Sequence, residues 1–196
     1  MTTGFGLTIP PDVTYPDQTV ALLGSNWRAV NFGVGGQTLA NMESDAATQI
    51  DRLYYPGGNR TKLVWWGGTN DLYFGASAST TLSRSSTYYG NRKAASWGLV
   101  EIGILPRTNS GTPGTFETDR QTIRTSKLAS YTTATAYPLI WKNADGNYYI
   151  DIGGDATIGQ AGQTTNTTYY LDLVHLTTAG YAIIADYVKK AIQLFP

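Results

Sequence analysis

Three short clusters in this chain hold residue types suited to acyl-transfer chemistry. His175 is the only histidine, and it closes the run Asp172-Leu173-Val174-His175. An aspartate three residues before a histidine can turn back to accept its Nδ1–H, which leaves Nε2 to take a proton from a nucleophile. A structural histidine beside a helix cap would present the same four residues. The second cluster is Gly68-Thr69-Asn70-Asp71, directly after an apolar run. Small residues at a strand's carboxyl end open space for a ligand, and an Asn amide there can donate to a developing oxyanion. Asn and Asp also favour ordinary turns. The third is Gly33-Val34-Gly35-Gly36-Gln37-Thr38, where a glycine lets a backbone N–H approach a substrate oxygen closely. A simple β–α turn would read the same way. Thr38 stands where the third glycine of a GxGxxG dinucleotide loop belongs, and no GxxxxGK phosphate loop is present.

The elements that must position these clusters alternate in type. Tyr15 to Leu23 reads as a helix opened by Pro16 and stopped by Gly24. Ala29 to Val34 reads as a strand. Leu39, Met42, Ala46, Ile50 and Leu53 share one helix face. Lys62 to Trp66 and Leu99 to Leu105 read as buried strands, the second ended by Pro106. Residues 75–98, rich in Ser, Thr and Tyr, carry no clear period. Phe116 to Tyr131 is a weaker helix pattern, and Tyr148 to Ile152 reads as the last strand. Tyr181, Ile184, Val188, Ala191 and Phe195 define an amphipathic helix starting near Thr178. Alternating strands and helices imply βα units around a mainly parallel sheet. Such a sheet should begin with a central strand, whereas this pattern begins with a loop and a helix.

Composition excludes several classes. The 196 residues suit one α/β domain, residues 1–196. There is no cysteine, so disulfides, thiolate zinc sites and a cysteine nucleophile are ruled out. Lys+Arg and Asp+Glu are both 14, so the basic excess of a nucleic-acid binder is missing. Charged residues make up 14%, against about 25% in typical domains. That weakly charged polar surface leans toward a secreted or extracellular protein. No apolar run approaches the ~20 residues of a membrane span.

Taken together, the three clusters resemble blocks of the SGNH (GDSL-like) hydrolases, and the resemblance runs over nearly the whole chain. Asn31-Phe32-Gly33-Val34-Gly35-Gly36-Gln37-Thr38 is similar to the second block, Gly68-Thr69-Asn70-Asp71 to the third, and Asp172-Leu173-Val174-His175 to the fifth. Tyr15-Pro16, Ile104-Leu105-Pro106-Arg107 and Ala179-Gly180-Tyr181 match supporting segments. The resemblance implies a flavodoxin-like three-layer α/β/α fold and a serine-type carboxylic ester hydrolase. His175 would be the base and Asp172 its partner. The Gly36 N–H and the Asn70 amide would form the oxyanion hole. No cofactor or metal is implied, and the substrate would be a small ester or an acylated carbohydrate.

One block departs from the pattern. The first block of the family reads G-D-S-x-T-x-G, and this chain begins Met1-Thr2-Thr3-Gly4. With Thr2 and Gly4 on the block's Thr and Gly, the serine falls one position before Met1. The expected first, central strand would be missing with it, and an oligomer could compensate. The exact chain is then expected to be inactive or very weak. Gly154-Asp155-Ala156-Thr157 looks like a first block with Ala for Ser, but its place in the chain makes it a coincidence. Competing readings are a non-catalytic binding module in the same cleft, a flavodoxin-like cofactor binder, and an ordinary esterase with a miscalled start. Tyr73, Phe74, Tyr88 and Tyr89 are candidates for lining an apolar or sugar-stacking pocket. Asn59-Arg60-Thr61 and Asn166-Thr167-Thr168 fit the glycosylation pattern.

Overall fold

The computed structural model describes residues 14–56 and 61–196. Its sheet has five strands: β1 (Lys62–Trp65), β2 (Gly98–Ile102), β3 (Thr133–Ala134), β4 (Ile140–Lys142) and β5 (Tyr148–Ile150). They lie side by side in the order β1-β2-β5-β4-β3. β1, β2 and β5 run parallel, while β4 and β3 are antiparallel.

Side chains alternate across the parallel strands, as the two-residue strand period requires. Val64 and Trp66 pack into the cluster that holds Val100, Ile102, Tyr148 and Ile150. Helices α1 (Tyr15–Leu23) and α6 (Thr178–Gln193) complete that cluster and pack on each other. Leu63 and Trp65 point the other way, toward α2 (Leu39–Gln49) and α4 (Ala78–Ala94). Glu101 and Tyr149 face that same side, meeting α4 and α5 (Phe116–Ser130) through Ser85, Lys127 and Tyr131. The result is the expected three-layer α/β/α arrangement around a mainly parallel sheet.

Helix α1 stops where Gly24 takes φ 95° and its N–H bonds the Val20 carbonyl at 3.0 Å, a conformation that favours glycine. In α6 the spacing read from sequence buries Tyr181, Ile184, Val188 and Ala191.

Two expectations need correction, and two elements were not foreseen. Ala29 to Val34 belongs to no strand, because none of the described strands pairs with it. Val30 and Val34 are accordingly 69% and 55% exposed. The face ending at Leu53 breaks at Gln49, and a short 3-10 turn leaves Leu53 exposed. Residues 78–94 form the longest helix, although no apolar period marks it. Its buried positions are Ala78, Thr81, Ser85, Tyr88 and Arg92, a helical stripe made mostly of polar residues. The antiparallel pair β3–β4 was not legible either, and only 3-10 turns stand between β5 and α6. The expectations for Met1, Thr2, Gly4 and Asn59-Arg60 lie outside the described residues.

Candidate active site

The loop before α6 is held shut at its base. Tyr170 and Leu176 form an isolated antiparallel bridge, and the Leu171 N–H donates to the His175 carbonyl at 2.7 Å. Within this loop Asp172 Oδ1 accepts the N–H groups of Val174 at 2.8 Å and His175 at 2.6 Å. Asp172 Oδ2 lies 2.8 Å from His175 Nδ1. Burial alone would raise the Asp172 carboxyl. The His175 ring, the two backbone N–H groups and the His175 charge outweigh that and hold it below its ordinary value. An ionised carboxylate only accepts hydrogen bonds, so the bonded Nδ1 carries the proton and Nε2 is left as the basic nitrogen.

A second group assembles after β1. Gly68 takes φ 96° and a Cβ there would lie 2.7 Å from Ile104 Cδ1. Only glycine makes this turn into the short helix α3 (Thr69–Tyr73), which carries Asn70 and Asp71. Asn70 Nδ2 donates to the Gln37 carbonyl at 2.8 Å, and its second N–H remains for another acceptor. Gly36 takes φ 81°, with nothing within 4 Å of where a Cβ would stand. The loop ends in a capping box on α2, in which Thr38 accepts from the Asn41 N–H and Asn41 accepts from the Thr38 N–H. Asn70 and the Gly36 loop are therefore joined directly.

Arg107, just past the carboxyl end of β2, lies between the two groups. Its guanidinium stacks 3.5 Å from the ring centre of Tyr73 on α3, and Asp172 acts on its charge. The Thr108 N–H donates to the Leu173 carbonyl at 3.2 Å. Arg107 and Asp71 are functional candidates that sequence reasoning did not single out for a role. The only signals were Pro106-Arg107 after a strand and the aspartate ending the third cluster.

Other candidates resolve differently. Asp155 of the Gly154-Asp155-Ala156-Thr157 run is buried, accepting from Thr157, Ile158 and Tyr187, so the run is structural. Among the serines of residues 77–86, Ser77 caps α4 and Ser85 is buried against Glu101 and Lys127. Tyr88 packs on Trp65 in the core, and Tyr89 is held by Asn143, Asn147 and Asp145. Tyr73 and the exposed Phe74 stay at the candidate site. Asn166 makes a local turn by accepting the Thr168 N–H. Among the described residues no group of His, Cys, Asp and Glu could hold a metal ion, and no helix is long and apolar enough to cross a membrane.

No family model matches the chain, and no curated protein matches it. Solved structures do. A lipolytic-family G-D-S-L protein from Desulfitobacterium hafniense DCB-2 superposes with a TM-score of 0.62 at 14% identity, covering 97% of this chain and 94% of that one. The native aryl esterase of M. smegmatis gives 0.62 at 13% identity, over 96% and 88%. The acetyl xylan esterase AlAXEase gives 0.55 at 15% identity, over 81% and 78%. With the strand order and both helical layers in place, these likenesses establish that the chain has the SGNH (GDSL-like) hydrolase fold.

Proposed function

We propose that this chain carries the base and the oxyanion groups of a serine-type carboxylic ester hydrolase. The observation that carries the reading is the 2.8 Å contact between His175 Nδ1 and Asp172 Oδ2, with that aspartate fixed by two backbone N–H groups. His175 Nε2 takes the proton of a serine hydroxyl as its oxygen attacks the ester carbonyl. The Gly36 N–H and the Asn70 amide donate to the oxyanion that forms. The protonated imidazole, supported by Asp172, then gives its proton to the leaving alcohol. Water, deprotonated by the same histidine, hydrolyses the acyl-enzyme and restores the serine. This sequence calls for no metal or organic cofactor.

The reading places the serine outside residues 14–56 and 61–196, and those residues alone then have very weak or no activity. At most they retain the ~10³–10⁴-fold catalysis over water that can survive loss of a triad member. The acetyl xylan esterase and aryl esterase neighbours support a small ester or an acetylated carbohydrate as substrate. Phe74 and Leu173, both exposed at the site, suit an apolar group on that ester.

The test is hydrolysis of p-nitrophenyl acetate by this chain, by His175→Ala, and by a version extended at its start with a β-strand ending in Gly-Asp-Ser. The expected result is activity in the extended version alone, abolished there by His175→Ala. Turnover by the unextended chain that is lost with His175→Ala would place the nucleophile elsewhere. An inactive extended version that binds acetylated sugars equally well with and without His175 would make the cleft a binding module.

A further inference from the structure

Arg107 stands between the two groups of the candidate site without a carboxylate of its own. Arg84, Arg92, Arg120 and Arg124 each pair with one within 3.0 Å. Arg28 and Arg52 are exposed, whereas Arg107 is half-buried and forms no ion pair among the described residues. Its side chain is nonetheless fixed. The guanidinium stacks 3.5 Å from the centre of the Tyr73 ring, and Nε donates to Asn109 Oδ1 at 2.7 Å. The Thr112 hydroxyl donates to the same oxygen at 2.9 Å. A Cβ at Gly111 would stand 3.1 Å from the Tyr73 hydroxyl, so the loop closes over that ring. Asp172, which acts on the charge of Arg107, is already engaged: Oδ1 takes two backbone N–H groups and Oδ2 meets His175 Nδ1. Burial is the largest influence on the guanidinium and lowers its proton affinity, yet an arginine stays charged.

We propose that Arg107 is the anion-binding residue of this site, and that the ester bound there carries a carboxylate. A charge taken partly out of water is costly unless it is paired. Asn109 and Tyr73 occupy only part of a fork with several N–H donors, and that planar fork matches the two oxygens of a carboxylate. One cation on which Asp172 already acts suits a single negative charge, which favours a carboxylate over a phosphate group that is nearly a dianion. The spacing to the reacting bond follows from α3. Tyr73 comes three positions after Asn70 on that helix, and such residues stand about 5–6 Å apart at Cβ. A carboxylate held over Tyr73 and an ester carbonyl at Asn70 therefore belong to one small molecule, a few bonds apart. Two sources share this chemistry: an acylated acidic carbohydrate, with the carboxylate on the alcohol side, and a half-ester of a dicarboxylic acid, with it on the acyl side. The ester part of the inference rests on the ester-hydrolase reading; anion binding at Arg107 does not.

The experiment titrates the full chain with unreactive amide analogues and follows the Val174 and His175 amide protons by NMR. Acetanilide is the neutral probe. In p-acetamidobenzoate the carboxylate stands on the side of the alcohol, and in succinanilate on the acyl side. One of the two anions should bind roughly ten-fold or more tightly than acetanilide, the worth of a charge-assisted hydrogen bond, and which one does so names the source. Arg107→Gln should bring that anion to within about two-fold of acetanilide while leaving the affinity for acetanilide unchanged. Arg107→Lys keeps the charge without the planar fork and should retain part of the preference. Equal affinity of the parent chain for all three probes overturns the proposal without recourse to a variant. A preference that survives Arg107→Gln also overturns it, as does an equal loss for all three probes, which would assign Arg107 to the packing of Tyr73 alone. The matching esters, phenyl acetate, p-acetoxybenzoate and monophenyl succinate, are then given to the strand-extended protein. A lower KM for the preferred anionic ester, removed by Arg107→Gln, supports the ester part. Anion-selective binding with hydrolysis of none of the three overturns the ester-hydrolase reading and leaves the anion site assigned.

Discussion

The buried carboxylate of Asp71 accepts the backbone N–H of Leu39 through Oδ2 at 2.8 Å, and Arg84 Nη1 through Oδ1 at 2.8 Å. Leu39 is the first residue of α2, and Asp71 neighbours Asn70 on α3. One side chain thus sets the distance between the Gly36 loop and the Asn70 amide. Asp71→Ala leaves a buried N–H and one guanidinium without their acceptor. It should cost roughly 3 kcal/mol, or about 6–12 °C in Tm for a domain of this size. Asp71→Asn keeps one acceptor and should fall between. Thermal unfolding of the two variants checks this, and an unchanged Tm for Asp71→Ala would remove Asp71 from its positioning role.

Gly36 and Gly68 both take positive φ, yet they should respond differently to alanine. At Gly36 the added Cβ meets nothing within 4 Å, so only the backbone cost of about 1 kcal/mol applies. At Gly68 the same strain is joined by a 2.7 Å approach to Ile104 Cδ1, for a total of about 2 kcal/mol or more. Activity of the strand-extended protein should show a different balance. Gly36→Ala places a methyl where a substrate oxygen must approach, and should lower kcat/KM on the order of 10²-fold with little loss of stability. Urea unfolding beside p-nitrophenyl acetate kinetics separates the two, and equal activity for Gly36→Ala and the parent would refute the oxyanion role.

The parts of this molecule that were legible in sequence are the local ones. Asp172 and His175 are three residues apart, so their contact is a property of one loop. β2 and α6 announce themselves because Leu99–Ile102 and Tyr181–Ala191 carry their own apolar period. Helix α4 was hidden because Ser85 and Arg92 are buried through distant partners, Glu101 and Lys127 for the first, Glu43 and Asp51 for the second. No window of sequence contains those partners. The Asp71–Leu39 contact spans 32 residues and was invisible for the same reason. Residues 29–34 show the converse. Their pattern suits a strand, but a strand is defined by pairing, and none of the described strands lies beside them.

The Asp172 loop should come apart in acid. Its carboxyl is held below 3.8 in the folded protein. A depressed pKa contributes stability that is present above the unfolded value and lost as pH falls through the folded one. The order of this loop should therefore persist through the ordinary carboxylate range and fail only as pH falls through the lowered value. An NMR titration of the Val174 and His175 amide protons should show a transition centred below 3.8, and Asp172→Asn should abolish it. A midpoint at or above the ordinary carboxylate value would show that the two backbone bonds do not hold the ionised form.

Lys127 and Glu101 form an ion pair at 2.7 Å beneath the sheet, both nearly sealed from solvent, with Ser85 sharing the lysine. A buried pair is worth little against apolar residues of the same shape, but a single buried charge left behind is expensive. Lys127→Met should therefore destabilise the domain by about 3–5 kcal/mol. The double substitution Lys127→Met with Glu101→Gln removes both charges and should recover part of that loss. The two sites touch, so their effects should be strongly non-additive. Urea unfolding of the two single variants and the double variant gives the coupling directly. Additive losses would show that the lysine and the carboxylate are each satisfied by other groups, and that the contact beneath the sheet contributes nothing of its own.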